Sequence, residues 1–409
     1  MSEEKKEIEI TLPSIESLKK LKINRYLPGF LLILIFLVSL LVRLTTFNEP
    51  YLLAADSFHW YRYVEWIVSG NIPEHDYLWT FPEFPKRNFM FPLTVSLTAY
   101  TYLLIGKYFF NLEKWCFFFN AFLASLCVFP VYFLGKVLKN WVAGNFAAFL
   151  FGLSPAFLAR SMSGFFDTDA LNMLLASTVI CLFIYAYLKV DEKKIFDKKA
   201  ITFSFLAGIA LALFNLQWSG WWYVFYLLLS VFIVHLLYNF FLHKEETRKF
   251  FVSHLVLYIV LFVTFFAILL PIRGFEYIMG IPKQPLSMIP GTEQYFWRTS
   301  TIFPNVWISI SEEQRPSNLY ADVVLRIGII PIILCVLGLF AMGYEFLKNI
   351  RKYSVPLFLL IFWLIATLYA SYQAVRFTEL LSLPISICAG VFMGYLYEWW
   401  LRENGRKRI

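Results

Sequence analysis

Residues 28–47, PGFLLILIFLVSLLVRLTTF, form a mainly apolar run near the start of the chain. An α-helix needs about 20 such residues to cross the hydrocarbon core of a bilayer. Similar runs recur along the 409 residues, of which 59% are hydrophobic and 16% are charged. This balance lies outside the range of soluble globular domains and predicts an integral membrane protein.

Ten stretches are long and apolar enough to be spanning helices. They are residues 28–47, 115–134, 142–158, 169–188, 200–216, 220–241, 251–270, 323–346, 354–371 and 379–400. A further apolar stretch, residues 89–106, is interpreted as an interfacial helix, because counting it as a span would put half of the positive clusters on the other side. The predicted fold class is all-α, a polytopic transmembrane helical bundle of about ten spans with two long outer loops.

Lysine and arginine residues cluster in the short segments that ten spans would place on one side of the membrane. Positive clusters mark the cytoplasmic side, so both termini are predicted to be cytoplasmic in a multi-pass cell-membrane protein. The net charge of +8 is scattered over these segments and forms no basic face, which argues against nucleic-acid binding. The predicted organisation is a cytoplasmic segment 1–27, a transmembrane catalytic domain 28–400 with outer loops 48–114, 159–168, 271–322 and 372–378, and a cytoplasmic tail 401–409.

Ionisable side chains collect in the predicted outer loops. The first loop carries Asp56, the second Arg160, Asp167 and Asp169, the third Glu312 and Glu313, and the last Arg376. A lone loop acid is ordinarily solvated, and one aspartate at a helix start is explained as an N-cap. Two acids two residues apart among aromatic residues at a membrane surface are less ordinary, because charge at membrane depth is costly. The common sidedness of these loops predicts one shared site.

The composition of these loops favours a hard divalent cation. Carboxylate oxygens suit Mg²⁺ or Mn²⁺, and histidine is scarce in the loops while all five cysteines lie in apolar stretches. An arginine beside such a cation suits a phosphate, since its planar fork matches the phosphate oxygens. Nucleotide sugars are made in the cytoplasm, so a sugar donor used at an outer site is predicted to be carried by a lipid.

Four motifs in order resemble the catalytic subunit of oligosaccharyltransferase, most closely its single-subunit archaeal and bacterial forms. They are residues 56–62 (DSFHWYR), residues 164–169 (GFFDTD) with Arg160 upstream, residues 309–312 (SISE), and Arg376-Phe377. The resemblance covers nearly the whole chain. It implies a C-type glycosyltransferase fold that transfers a glycan from a polyprenyl (dolichyl) phosphate or pyrophosphate to asparagine of an acceptor protein or peptide.

The resemblance also implies roles for the loop residues. Asp56, Asp167 and Glu312 would be catalytic and would surround a Mn²⁺ or Mg²⁺ ion, with Asp169 as a further ligand or as the partner of Arg160. Asp56 and Glu312 would accept hydrogen bonds from the acceptor amide. Arg376 would bind the donor phosphate, and Arg160 would support the site. Glu313 is an alternative to Glu312, because adjacent residues are not separated without geometry.

One part of the family pattern is absent from this sequence. Trp399-Trp400 is followed by Leu401-Arg402 in place of the Asp-Tyr-Gly that completes the motif for reading the acceptor sequence. The chain is therefore expected to lack the C-terminal soluble domain and to need a separate acceptor-recognition subunit, or to act on an acceptor without that sequence. Two alternatives stay open: a C-type glycosyltransferase with a lipid-phosphate donor and a non-sequon acceptor, and a transporter of lipid-linked glycans. The acids lie in loops and no repeated halves are visible, which counts against transport.

Overall fold

The computed structural model describes residues 23–76, 78, 90–191, 194, 196–241, 245–288 and 315–406. These residues form helices and the turns between them, and no β-strand occurs among them. The helices are α1 (Ile23–Arg43), α2 (Ala55–Ser69), α3 (Leu93–Leu104), α4 (Leu112–Leu126), α5 (Val128–Leu138), α6 (Trp141–Gly152), α7 (Pro155–Leu158), α8 (Asp169–Lys189), α9 (Lys198–Gln217), α10 (Trp222–Phe241), α11 (Glu245–Arg273), α12 (Phe275–Gly280), α13 (Leu325–Ile327), α14 (Ile329–Lys348), α15 (Ile350–Gln373) and α16 (Thr378–Arg406).

Shorter helical turns join several of these elements. They are the 3₁₀ segments Leu44–Thr46, Gly106–Tyr108, Ser219–Trp221, Ile281–Met288 and Val375–Phe377, and the π-helical turn Tyr320–Val324 that continues into α13. The predicted all-α, multi-pass membrane architecture is confirmed. In the described part of the chain, nine helical stretches are long and apolar enough to cross a membrane, with α4 and α5 acting together as one of them.

The remaining predicted span, residues 142–158, is divided in the structure. Helix α6 has 12 residues and ends at Gly152, and a second helix of 4 residues begins at Pro155. Proline lacks a backbone N–H and pushes the residue before it out of the helical region, and Ser154 is accordingly non-helical, with a ψ of 123°. The break turns the chain sharply just before Arg160. Another break shortens the predicted span 323–346, since Gly328 has a φ of +98° and α14 starts only after it.

Three groups of helices build the bundle. Helix α16 packs against both α6 and α14, α9 packs between α8 and α11, and α10 packs against α15. Helix α3, which lies in the stretch interpreted as interfacial, has 12 residues and packs against α2. At 1.5 Å per residue, α3 is roughly 18 Å long, too short for a bilayer core.

The two ends of the bundle differ in chemistry. At one end, the ammonium of Lys139 lies 2.7 Å from a carboxylate oxygen of Glu398 and 3.5 Å from one of Glu345. We call this the Lys139 end. We call the opposite end of the bundle the Asp167 end. Helix α16 begins there at Thr378, roughly 30 Å along the helix from Glu398. The aspartates and arginines of the second and last predicted outer loops gather there.

Helices α14 and α16 approach each other so closely that one position of α14 at their contact requires glycine. A Cβ atom built on Gly338 of α14 would overlap the carbonyl oxygen of Cys388 in α16. In a membrane, small residues at such contacts allow the backbones to pack, because lipid gives helices little hydrophobic reason to associate.

We expect Gly338→Val to lower the free energy of unfolding by roughly 1–3 kcal/mol, because the added side chain forces α14 away from α16. Gly343→Val is the matched control, since it lies in the same helix and a Cβ there meets nothing within 4 Å. Thermal unfolding of the purified proteins in detergent checks the difference. Equal losses in the two variants would contradict the close contact.

Candidate active site

The turn that carries Asp167 depends on a glycine. Gly164 has a φ of +90°, a conformation that favours glycine, and a Cβ there would lie 2.8 Å from the ring of Phe117. The carbonyl oxygen of Gly164 accepts a hydrogen bond of 2.9 Å from the backbone N–H of Leu53. The turn before Asp167 is thereby held against the segment that leads to Asp56.

Asp167 is buried and receives several hydrogen bonds. Its Oδ1 accepts from the indole Nε1 of Trp60 at 3.0 Å and from the backbone N–H of Thr168 at 2.6 Å, and its Oδ2 lies 3.4 Å from a guanidinium nitrogen of Arg160. Burial raises the pKa of Asp167 to about 6; the nearby Asp169 carboxylate adds to the rise, and the Arg160 guanidinium opposes it. A further cation beside Asp167, in addition to Arg160, would therefore favour the charged form of the Asp167 carboxyl group.

Asp169 begins α8 and shares Arg160 with Asp167. Its Oδ2 accepts from the Nε of Arg160 at 3.0 Å. The guanidinium of Arg160 also stacks over the ring of Phe165, 4.9 Å from its centroid. One buried arginine thus pairs with both predicted acids.

Arg376 lies in the 3₁₀ turn between α15 and α16, on the other side of Asp169. A guanidinium nitrogen of Arg376 is 3.9 Å from Asp169 Oδ1, which is an ion pair but too long for a hydrogen bond. The side chain of Arg376 is 23% exposed, against 10% for that of Arg160. Arg376 is therefore the more accessible cation of the cluster.

The sequence analysis missed Glu379 as a member of this cluster. Glu379 is 5% exposed, its Oε2 has no hydrogen-bond partner among the described residues, and it interacts electrostatically with Asp169, Arg160 and Arg376. The spacing of three residues from Arg376, at the start of a helix, was a usable signal.

Asp56 lies beside this cluster rather than inside it. It is exposed in the first turn of α2, four residues before Trp60, so the two side chains share one face of the helix. Trp60 contacts Asp167 directly, so Asp56 stands on the solvent side of the same helix face. The structure therefore brings Arg160, Asp167 and Asp169 into one contact network with Arg376 and places Asp56 at its margin.

The predicted acids Glu312 and Glu313 lie outside the described residues. Within the described residues, no group of three or more histidine, cysteine, aspartate or glutamate side chains has the geometry to hold a metal ion. The carboxylate oxygens of Asp167 and Asp169 fit the chemistry of a hard cation.

Gln217 is a second residue that the sequence analysis missed. Its amide nitrogen donates to the hydroxyl of Thr94 at 2.7 Å and to the carbonyl of Thr168 at 3.2 Å, and its amide oxygen accepts from the backbone N–H of Thr94 at 2.8 Å. This buried side chain at the end of α9 connects α3 with the Asp167 turn. No sequence motif pointed to it, because an isolated glutamine at the end of an apolar run has no distinctive spacing.

The chain matches proteins of one family. Residues 30–399 match the family model described as "Oligosaccharyl transferase STT3, N-terminal". A dolichyl-phosphooligosaccharide-protein glycotransferase of Methanococcus voltae is 26% identical over 322 residues, 70% of this chain and 34% of the relative. A protein of the same name from Methanocaldococcus jannaschii is 30% identical over 210 residues, which cover 47% of this chain and 21% of the relative.

Solved structures share the fold. The archaeal oligosaccharyltransferase AglB from Archaeoglobus fulgidus, in complex with an inhibitory peptide and a dolichol-phosphate, superposes with a TM-score of 0.70 at 17% identity, over 95% of this chain and 52% of that one. The apo form of the Archaeoglobus fulgidus enzyme gives 0.66 at 18% identity, over 94% and 52%.

The match therefore spans about half the length of those structures and about a third of the Methanococcus voltae relative. Within this chain, the match to the family model runs from the first spanning helix to the last and includes the Asp167 and Arg376 motifs described above. The chain belongs to the oligosaccharyl transferase STT3 family, as its four motifs predict.

Proposed function

We propose that this chain carries the membrane-embedded catalytic part of an enzyme that transfers a glycan from a polyprenyl (dolichyl) phosphate or pyrophosphate to asparagine side chains of proteins. The observation that carries the proposal is the buried network of Asp167, Arg160 and Asp169 beside Arg376. The relatives named as dolichyl-phosphooligosaccharide-protein glycotransferases support the same reaction class. The archaeal structure with a bound dolichol-phosphate and peptide supports a lipid donor and a peptide acceptor.

The reaction exchanges one bond for another at the sugar. The amide nitrogen of asparagine forms a bond to the anomeric carbon, the bond from that carbon to the phosphate oxygen breaks, and the lipid phosphate leaves with the electron pair. Asp56 and Glu312, or Glu313 in its place, would accept the hydrogen bonds and finally the proton of the amide. Arg376 would contact the phosphate, where its guanidinium offsets the charge that develops on the leaving group.

The buried part of the site would keep this geometry fixed. Arg160 holds Asp167 and Asp169 at one spacing, and Trp60 orients the Asp167 carboxylate from the other side. Mn²⁺ or Mg²⁺ held by Asp56, Asp167, Asp169 and Glu312 would supply Lewis-acid neutralisation of the phosphate charge. Fixed charges of this kind act strongly in a site from which water is excluded.

The proposed orientation places the Asp167 end on the outer face of the cell membrane and the Lys139 end in the cytoplasm. The positive clusters of the sequence support it, because they lie in segments adjoining the Lys139 end. A donor and an acceptor that meet at the outer face would both be reached from the exposed side of Arg376 and Asp56.

We expect Asp56→Ala and Asp167→Ala each to lower transfer by about 10²-fold or more, because each removes a fixed charge from the transition state. The assay supplies lipid-linked glycan extract, Mn²⁺ and an Asn-X-Thr peptide to the protein in membranes and measures glycopeptide. Asp322→Ala is the matched control, since this carboxylate is at the same end but is partly exposed and accepts hydrogen bonds from the hydroxyl of Ser317 and the backbone N–H of Asn318. Wild-type rates in the two site variants would overturn the assignment.

The same assay separates the alternatives for the acceptor. Glycopeptide formed by the purified chain would show that its own residues read the acceptor, and glycopeptide formed only after adding membrane extract would indicate a separate recognition subunit. Donor consumption without glycopeptide would indicate a non-sequon acceptor. Transport of the donor without consumption would contradict the proposed transferase.

We expect Arg376→Gln to raise the KM for the lipid-linked donor by about tenfold or more and to leave the KM for the peptide within about twofold, because the guanidinium is proposed to bind the donor phosphate and not the peptide. Arg160→Gln is the comparison, since it removes the partner of two buried carboxylates and should lower kcat and stability instead. Initial rates over a matrix of donor and peptide concentrations measure the difference. A rise in peptide KM alone would place Arg376 in the acceptor site.

We expect EDTA to abolish transfer and added Mn²⁺ or Mg²⁺ to restore it, because the proposed ligands are carboxylates. Activity is followed with free metal buffered over several decades of concentration. Asp167→Asn should shift the half-saturating Mn²⁺ concentration upward, whereas the control Asp322→Asn should not. Full activity in EDTA would rule out a dependence on a dissociable metal.

A further inference from the structure

An arginine is completely buried in the first membrane helix. Arg43 is the last residue of α1, lies within the apolar run at residues 28–47, and has no exposed surface. No carboxylate within the described ranges forms an ion pair with it. A buried charge within an apolar run is costly, so its presence calls for a role.

The guanidinium of Arg43 donates hydrogen bonds to its own helix and to the segment 152–161 through Nη1 and Nε. Its Nη1 donates to Ser39 Oγ at 2.6 Å and to the carbonyl of Gly152 at 2.8 Å, and its Nε donates to Ser161 Oγ at 2.9 Å. The cation also lies over the ring of Phe157, 4.9 Å from the centroid. One side chain of α1 therefore holds both ends of the turn 152–161, which immediately precedes the Asp167 loop.

The backbone beyond Arg43 continues this connection. The carbonyl of Arg43 accepts from the N–H of Ser163 at 2.9 Å, and the hydroxyl of Thr46 donates to the carbonyl of Ser163 at 2.6 Å. With the bond from Leu53 to Gly164, the segment leading to Asp56 is joined to the segment leading to Asp167 at three points. Their relative position is set where α1 ends.

We infer that Arg43 is a positioning residue that fixes the spacing between the segments carrying Asp56 and Asp167. The inference rests on the proposed function for its catalytic consequence. Lysine would offer a point charge without the fork that reaches Gly152 and Ser161 together, and an apolar residue would remove the hydrogen bonds that both groups accept from Arg43. Snorkelling to the membrane surface does not explain this arginine, because its side chain is enclosed by protein.

The test compares Arg43→Met and Arg43→Lys with Lys139→Met in purified protein held in lipid nanodiscs. Lys139→Met is the matched control, because it removes a largely buried cation from the opposite end of the bundle. Hydrogen exchange is measured for peptides covering residues 44–53 and 159–168, and transfer kinetics are measured in parallel. Ser161→Ala is the second variant, since it removes one acceptor and leaves the arginine in place.

We expect Arg43→Met to speed exchange in both peptides and to lower kcat by about tenfold or more, with the KM values for donor and peptide within about twofold. Arg43→Lys should recover part of kcat, and Ser161→Ala should speed exchange in both peptides to a smaller extent. Lys139→Met should lower the unfolding temperature without either effect.

Unchanged exchange in the two peptides, or an equal fall in kcat in Lys139→Met, would overturn the inference. Should Arg43→Met fail to fold, Ser161→Ala decides by the same two readings. A wild-type protein without transfer activity would count against the proposed function alone, because the exchange data still report the position of the two segments.

Discussion

The arrangement at the Asp167 end depends on one guanidinium shared by two carboxylates. Arg160 pairs with Asp167 and Asp169, and all three side chains are at least nine-tenths removed from solvent. Taking either carboxylate out of water without a partner would cost several kcal/mol, so Arg160 makes the acid pair possible at this depth. Arg376, in the 3₁₀ turn before α16, and Glu379, in the first turn of α16, interact with the same pair, and through them the last spanning helix is placed relative to the Asp167 turn.

The site is irregular backbone at the end of a helical bundle, so its polar groups need partners that water does not supply. Buried amide side chains meet part of that need: Gln217 binds the carbonyl of Thr168, and Asn120 donates to the carbonyl of Phe165 at 2.6 Å. These residues stand on helices that are far from the turn in sequence. The bundle is therefore more than a support, because its helices complete the hydrogen bonding of the Asp167 turn.

The membrane helices could be predicted from the sequence, because hydropathy reports length directly. Pairing with Arg160 was one of the two roles predicted for Asp169, but the sharing of that guanidinium with Asp167 was not predicted. Other features could not be predicted. Glu379 resembles an ordinary acid in the first turn of a helix, Arg43 resembles an interruption in an apolar run, and Trp60 resembles a membrane-interface aromatic. Their roles depend on contacts over more than a hundred residues, as in the bond from Trp60 to Asp167. Pro155 was visible in the sequence, but the high hydropathy of residues 142–158 led to the prediction of one unbroken span.

The exposure of the charged groups follows the order that a transfer reaction at a membrane surface requires. Asp169 and Asp167 are the most buried, Arg160 follows, Arg376 is partly open, and Asp56 is exposed. Under the proposed function, the buried charged groups fix the electrostatic field of the site, and the exposed charged groups contact the substrates. A phosphate that reached Arg160 would have to displace two carboxylates, whereas one that reaches Arg376 meets an ion pair of 3.9 Å that is already too long for a hydrogen bond. Under the proposed function, the difference in burial therefore favours binding of the donor phosphate at Arg376, while Arg160 stays paired with the two aspartates.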